Sequence, residues 1–408
     1  MKSSVAAAEP AANHWFKGNL HTHSLWSDGN DLPEMICDWY KQQGYHFLGL
    51  SDHNILSEGG KWIDIDLIAK RGGIGGMDRY LKRFGGEWVE TRKEMEKQQV
   101  RLKPLNEFRT RFEEPGKFLL VQSEEITDHF GKLPIHINAT NIRDVIKPQG
   151  GASVRETIAN NLIAIQQQSQ RVGQPILGHL NHPNYGYAIT AEDMAEVLEE
   201  QFFEVYNGHP GVHHQGDAEH VSVERMWDIA NTIRIVDLKA PPLYGMATDD
   251  SHNYFGDRGP SPGRGWVTVR AKFLNPSAII QAMNRGDFYA SSGVELKDVR
   301  FSSDTKILEL EIDAQPGATY TTEFVGTLKN YDRRSEEVVD KEGKPIHATR
   351  KYSADVGKVI ATVKGPKPTY QLTGQELYVR AVVTSSQRPK NPSFDGQFQQ
   401  AWTQPVGW

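Results

Sequence analysis

The chain has 408 residues, long enough for two domains or for one large domain with an appendage. A net charge of −6 argues against a nucleic-acid binder held by bulk electrostatics, and 38% apolar with 24% charged residues suits a soluble globular protein with a sizeable core. The single cysteine, Cys37, excludes an internal disulfide and a cysteine-based zinc site, and no apolar run approaches the ~20 residues that span a bilayer.

Residues 1–14 begin MKSSVAAAEPAAN, an Ala-rich stretch without the apolar core of a secretory signal. It reads as a flexible tail, either a frayed end or the remnant of a trimmed signal. The compartment stays open between cytoplasmic and periplasmic or secreted. Gly18 to Gly29, GNLHTHSLWSDG, sets His21 and His23 two apart, on one face if the backbone is extended. Ser27-Asp28-Gly29 reads as a turn that swings a carboxylate back. Leu32 to Gln43 reads as a helix closed by Gly44, with Cys37 a packed core thiol. His46 to Leu50 is a buried strand running into Ser51-Asp52-His53-Asn54. Strand, helix, strand with polar residues after each strand is the rhythm of an α/β barrel, whose chemistry sits where strands end.

Residues 57–115 interrupt that rhythm with Gly pairs and a charge-rich stretch, Trp88 to Lys103, of helical character. They read as an insertion near the mouth, either a lid or a solvated excursion. The rhythm then resumes. Lys117 to Val121 leads to Glu124-Glu125-Ile126-Thr127, and Pro134 to Asn138 is a short strand carrying His136. Ser153 to Arg171 is an amphipathic helix. Pro175 to Gly178 runs into His179-Leu180-Asn181-His182, Phe202 to Tyr206 ends at Asn207-Gly208, and Leu243 to Ala247 ends in Thr248-Asp249-Asp250-Ser251-His252. A strand, Gly265 to Arg270, and a helix, Pro276 to Arg285, complete a region of residues 15–295. Beyond it, residues 296–408 alternate in period two through Ile307–Ile312, Lys358–Val363 and Leu377–Val383. That pattern is an all-β domain, sandwich-like, whose aromatic end Ala401–Pro405 favours packing against the barrel over polymer recognition or dimerisation.

Six of the fifteen histidines, His21, His23, His53, His136, His182 and His252, fall at or just after strands, with Asp28, Asp52, Glu125 and Asp250 among them. Imidazole and carboxylate suit zinc, manganese and iron at neutral pH, and so large a set fills two or three metal positions. Buried together without metal, the carboxylates repel and the imidazoles lack partners. His213 and His214 read as a loop, solvated rather than facing the pocket on balance, and His14, His129, His209, His220 and His347 carry no supporting pattern.

These stretches, GNLHTH, Ser27-Asp28-Gly29, Ser51-Asp52-His53-Asn54, Glu125-Ile-Thr, His136, His182-Pro and Asp250-Ser-His252, together resemble the four motifs of the PHP (polymerase and histidinol phosphatase) family over about residues 15 to 295. Gly265-Trp-Val and Phe288 to Gly293 are similar to a subgroup named after a bacterial carbaryl hydrolase. The resemblance implies a distorted (β/α)7 barrel with two or three divalent ions (Zn, Mn or Fe). It implies that His21, His23, Glu125 and Asp250 hold one ion. Glu125 then bridges to a second held by His136 and His182, while Asp28, His53 and His252 hold a third. Glu125 fits its motif better than Glu124, and Asp250 better than Asp249. Asp52 is expected to orient a histidine, and His179 is a further candidate to line the site.

The resemblance implies that such a centre hydrolyses a phosphomonoester or phosphodiester by activating a water between metal ions. His182 or His252 is an alternative general acid, and Arg264 and Arg258 are candidate phosphate clamps because guanidinium matches phosphate bidentately. Two other readings remain: a carbamate, ester or amide hydrolase with Trp62 or Trp88 in an aryl pocket, and a non-catalytic metal-bound binding module. The expected partner is a small-molecule phosphoester or carbamate, with no nucleic acid, no membrane, and a homo-oligomer left open.

Overall fold

The computed structural model describes residues 14–255 and 259–408. Most of the expected tail, and Arg258, lie outside the described residues; His14 opens the first strand. Strand β1 (His14–Asn19) leads to helix α1 (Pro33–Gln42) and strand β2 (Phe47–Leu50). Pro33 sits in the first turn of α1, where its missing N–H leaves no bond unmade. Ile36, Cys37 and Tyr40 then fall on one buried face of α1, against Leu48, Phe108 and Phe118. Burial pushes the Cys37 thiol well above its ordinary pKa, as suits a packed side chain.

Residues 57–115 form β3 (Lys61–Asp64), α2 (Ile65–Gly72), α3 (Gly76–Phe84), β4 (Thr91–Glu94), β5 (Lys97–Leu102) and α4 (Leu105–Phe112). The helical reading of Trp88 to Lys103 is wrong: β4 and β5 are a hairpin in the sheet β3-β5-β4. Met95 and Glu96, both at positive φ, make its two-residue turn. Val100 and Leu102 point inward while Gln99 and Arg101 stay half-exposed, a period of two that the density of charge obscures. Nor is the segment a solvated excursion. Ile63, Ile68, Tyr80 and Val100 share a core with Leu25, Trp26 and Leu32, so it packs on the turn that carries Asp28.

The chain continues through β6 (Leu119–Phe130), β7 (Leu133–Thr140), α5 (Val154–Val172), β8 (Leu177–Leu180), α6 (Ala191–Glu196), β9 (Phe202–Asn207), α7 (Val223–Ile233), β10 (Tyr244–Thr248), β11 (Trp266–Ala271), α8 (Pro276–Asn284) and β12 (Phe288–Ser291). The rest is strand: β13 (Leu296–Ser302), β14 (Ile307–Ile312), β15 (Tyr320–Leu328), β16 (Ser335–Glu336), β17 (Lys351–Tyr352), β18 (Lys358–Lys364), β19 (Thr369–Gln371), β20 (Glu376–Ser385) and β21 (Gln400–Thr403). The fold is mixed α/β around one large sheet, ordered β10-β9-β8-β7-β6-β2-β1-β11-β12-β21-β20-β15-β18. Strands β1, β2 and β6 run parallel, as do β8, β9 and β10. The β6–β7 hairpin interrupts the alternation of strand and helix. Among the described residues β1 and β10 do not pair along their lengths. The sheet curls so that residues just past their ends meet, through the parallel bridge of Thr22 with Ser251.

The C-terminal strands extend this sheet. Strand β21 lies between β12 and β20, and Trp402 stacks on Tyr206 with ring centroids 5.8 Å apart. Asp228 on α7 is clasped by Arg380 on β20 through Nε at 2.9 Å and Nη2 at 2.7 Å, and accepts the Tyr378 hydroxyl at 2.8 Å. Both charges are almost fully buried. Among the described residues, no helix is long and apolar enough to cross a membrane.

Breaking a buried pair strands one charge. Asp228→Ala is expected to lower unfolding free energy by about 3–5 kcal/mol, read by urea denaturation; an unchanged midpoint would show that the pair is dispensable.

Candidate metal centre

The parallel strands deliver their polar residues at one edge. His21 and His23 follow β1, His53 follows β2, His182 follows β8, and Asp250 and His252 follow β10. Glu125 and His136 come from the β6–β7 hairpin, where Glu125 pairs with Asn138 and Thr127 with His136. Paired residues share a face of the pleat, so Glu125 and His136 are diagonal neighbours, with Nδ1 2.9 Å from Oε1. Glu124 points to the other face and accepts the Ile146 N–H at 2.6 Å.

Around Glu125 and Asp250 the donors converge. His21 Nε2 lies 3.4 Å from Glu125 Oε1 and 3.2 Å from Asp250 Oδ1; His23 Nε2 lies 3.3 Å from Glu125 Oε2 and 3.2 Å from Asp250 Oδ1. His182 Nε2 stands 3.7 Å from Glu125 Oε1 and 4.0 Å from Asp250 Oδ2. Asp28, swung back by its turn, faces His53 Nε2 and His252 Nε2, each at 3.5 Å. His23 joins that group too, its Nδ1 3.6 Å from Asp28 Oδ1. The donor atoms of His23, Asp28, His53 and His252 lie within 4.8 Å of one another, as do those of His21, His23 and Glu125 and those of His53, Glu125 and His136. His182 and Asp250 adopt positive φ, of 24° and 47°, a strained conformation for side chains held to a task.

The residues fit divalent cations. His21 Nε2, both nitrogens of His23, Glu125 Oε2 and His136 Nδ1 are buried without a well-formed hydrogen bond. A cluster of unpaired imidazole and carboxylate donors is costly to bury unless something binds it, and this donor set suits zinc, manganese or iron.

A buried carboxylate absent from the sequence reading supports it. Glu204 on β9 lies 2.7 Å from His21 Nδ1 and accepts from Thr248 Oγ1 at 2.6 Å and from the His182 N–H and Asn207 Nδ2, both at 2.8 Å. It keeps the His21 proton on Nδ1 and turns the Nε2 lone pair to the centre. A lone Glu inside the apolar strand FFEVYN was its only signal. Asn181 donates to Glu125 Oε1 at 2.8 Å. Asp52, expected to orient a histidine, instead accepts from the N–H and hydroxyl groups of Ser24 and Ser27 and so holds the Asp28 turn. Asp249 points away and accepts the N–H groups of Gly263, Arg264 and Gly265.

Several other expectations are corrected. The guanidinium of Arg264 is buried against Gly208 O and Asn391, outside the cleft. His179 lies behind Glu204, 3.4 Å from Oε1, and not on the cleft wall. Trp62 sits under Arg92, and Trp88 donates to Glu34 and Tyr80; neither lines the cleft. His214 is buried on Tyr206 rather than solvated. Conversely His209 and Tyr185 form part of the wall of the cleft, which has a volume of about 250 Å³. Neither sits in a recognisable ligand spacing, which is why the sequence hid them.

Burial opposes charge throughout the centre. At His53 it is outweighed by Glu125 and Asp28, which raise the imidazole to about 11. Burial is likewise overcome at His21 by Asp250, Glu204 and Glu125, and at His252 by Asp28 and Asp250, so both are raised. Burial wins at His23, helped by His252 and His53, and lowers it to about 3. Despite burial, neighbouring imidazoles hold Asp28, Glu125 and Asp250 below the carboxylate range.

Three outcomes follow from this site. Glu204→Gln places an amide N–H₂ against groups that donate, whichever way it flips, so metal affinity should fall about 10- to 100-fold in a chelator competition; an unchanged affinity removes Glu204 from the support. Metal-free, His21 and His53, the imidazoles raised furthest, hold protons at neutral pH, and binding must expel them. Zinc addition to weakly buffered metal-free protein at pH 7 should therefore release protons, with affinity rising as pH rises. Binding that is silent to a pH indicator contradicts this. The depressed carboxylates contribute stability above their ordinary value of about 4, lost as pH falls; metal-free protein should accordingly lose stability to urea on acidification below that value.

No family model matches the chain, and no curated protein matches it. Among solved structures it is similar to a two-domain protein of Bacteroides vulgatus containing a predicted PHP-like metal-dependent phosphoesterase, at 12% identity over 99% of each chain and a TM-score of 0.40. It is also similar to a candidate metal-dependent phosphoesterase of Bifidobacterium adolescentis, at 13% identity over 60% of this chain and 92% of that one, with a TM-score of 0.30. Both scores fall below 0.5, so function is read from the cleft itself.

Proposed function

We propose that the protein is a metal-dependent hydrolase of phosphoesters, with a PHP-type barrel over residues 15–295 and a β domain over 296–408. One observation supports this above others: buried, unpaired imidazole and carboxylate donors converge on a single open cleft. His21, His23, Glu125 and Asp250 would hold one ion, His136 and His182 with Glu125 a second, and Asp28, His53 and His252 a third. Bound there, two or three divalent ions supply a water of lowered pKa and the positive charge that a phosphoryl transition state requires.

The chain's own groups do the rest. Glu204 fixes the proton of His21, and Asn181 and Asn207 hold Glu125 and Asp250 in place by donating to them. Residues 57–115 steady Asp28: Arg71 Nη1 donates to Ser27 O at 2.8 Å, and Lys61 donates to Trp26 O. Preorganised ligands of this kind spare the reaction a reorganisation cost.

A second reading, carbamate, ester or amide hydrolysis, draws on one feature. Among the described residues lining the cleft there is no lysine or arginine to favour a highly charged substrate.

Metal-loaded protein should hydrolyse para-nitrophenyl phosphate or bis-(para-nitrophenyl) phosphate, lose that activity on chelation and regain it with manganese or zinc. Turnover of a naphthyl carbamate with no phosphoester turnover would overturn the first reading in favour of the second. Metal binding without hydrolysis of any of the three would favour a binding module.

A further inference from the structure

We propose that His209 contacts the substrate: as a neutral imidazole, it donates a hydrogen bond from Nε2 to a phosphoryl oxygen held in the cleft. This rests on the phosphoester reading above.

His209 stands in Asn207-Gly208-His209-Pro210-Gly211, directly after β9. The Gly211 N–H donates to His209 Nδ1 at 2.9 Å. A nitrogen that accepts a hydrogen bond carries no proton, so the ring hydrogen belongs on Nε2. The Nδ1 edge is thereby given to the loop itself. Nε2 has no hydrogen-bond partner among the described residues, although the ring lines the cleft with His182, Asp250 and His252. It stands edge-on to His252 at 5.8 Å and 78°, and to Tyr185 at 6.0 Å and 84°.

The position is rigidly set. The His209 N–H donates to Asn207 Oδ1 at 2.8 Å, and the Asn207 amide donates to Glu204 Oε2 at 2.8 Å and Asp250 Oδ2 at 3.1 Å. One asparagine thus ties His209 to a metal-ligand candidate and to the carboxylate that supports another. Gly208 lets the loop lie flat against β10: its N–H donates to Thr248 O at 2.8 Å, and a Cβ there would meet Asp249 O at 2.7 Å. A donor fixed before substrate arrives costs no ordering on binding.

With Arg264 bound to Gly208 and Asn391, no described lysine or arginine lines the wall. For a phosphoryl oxygen not held by metal, His209 offers a donor on the ring edge turned away from its own loop.

The test uses full-length, metal-loaded protein with His209→Ala and His209→Gln. In H209A, inorganic phosphate binding by calorimetry should weaken about tenfold, and kcat/KM for bis-(para-nitrophenyl) phosphate should fall about 100-fold, with metal content and circular dichroism unchanged. In H209Q, whose side-chain amide can donate where Nε2 did, a substantial part of both should return. If H209A equals the parent in both measurements, or loses its metal, the inference fails while the phosphoester reading stands. If H209Q is as impaired as H209A, the role is packing and the inference fails likewise. A parent that neither binds phosphate nor hydrolyses any phosphoester overturns the reading and the inference together.

Discussion

A single buried carboxylate organises this protein. Glu125 lies within 3.7 Å of nitrogens from His21, His23, His53, His136 and His182, and no lysine or arginine among the described residues pairs with it. A carboxylate in that setting is tolerable only with positive charge around it, from imidazolium or from metal. The depressed carboxyls and raised imidazoles of the metal-free centre show one solution. Divalent cations would be the other, and the two compete for the same lone pairs.

The fold serves this constraint through register. Side chains alternate along β6, so a slip of one residue against β7 would turn Glu125 into the apolar core and bring Glu124 to the centre. The hairpin turn at Gly131 and the apolar partners Ile126, Ile137 and Ala139 on the opposite face oppose that slip. The remaining donors sit just beyond parallel strands, where the backbone leaves the ladder and is free to take the positive φ seen at His182 and Asp250. Around them lies a layer of fixed acceptors and amides: Glu204 behind His21, Asp52 beneath the Asp28 turn, and Asn207 between Asp250 and Glu204.

Two parts of the chain brace the centre from outside. Residues 57–115 pack a small core against Leu25, Trp26 and Leu32 and so hold the turn bearing Asp28, the most exposed of the ligand candidates. The C-terminal strands continue the large sheet, and Asn391 takes up Arg264 beside the loop that carries His209. The arginine that looked suited to phosphate is instead a structural tie between that loop and the C-terminal strands.

The sequence by itself determined the ligand candidates, because His-x-His, Asp-x-His and the polar residues after apolar runs are local patterns that a few residues display. It also determined most strands and helices of the α/β part, since their apolar periods are local too. Only tertiary structure decided that Asp52 holds a turn and that Glu204 and His209 belong to the site. Those roles depend on which atoms meet across long sequence separations, such as the 183 positions by which Glu204 follows His21. Charge-rich β4 and β5 escaped for a related reason. Only one side of that hairpin is buried, and the core it covers is supplied by residues far away in the chain.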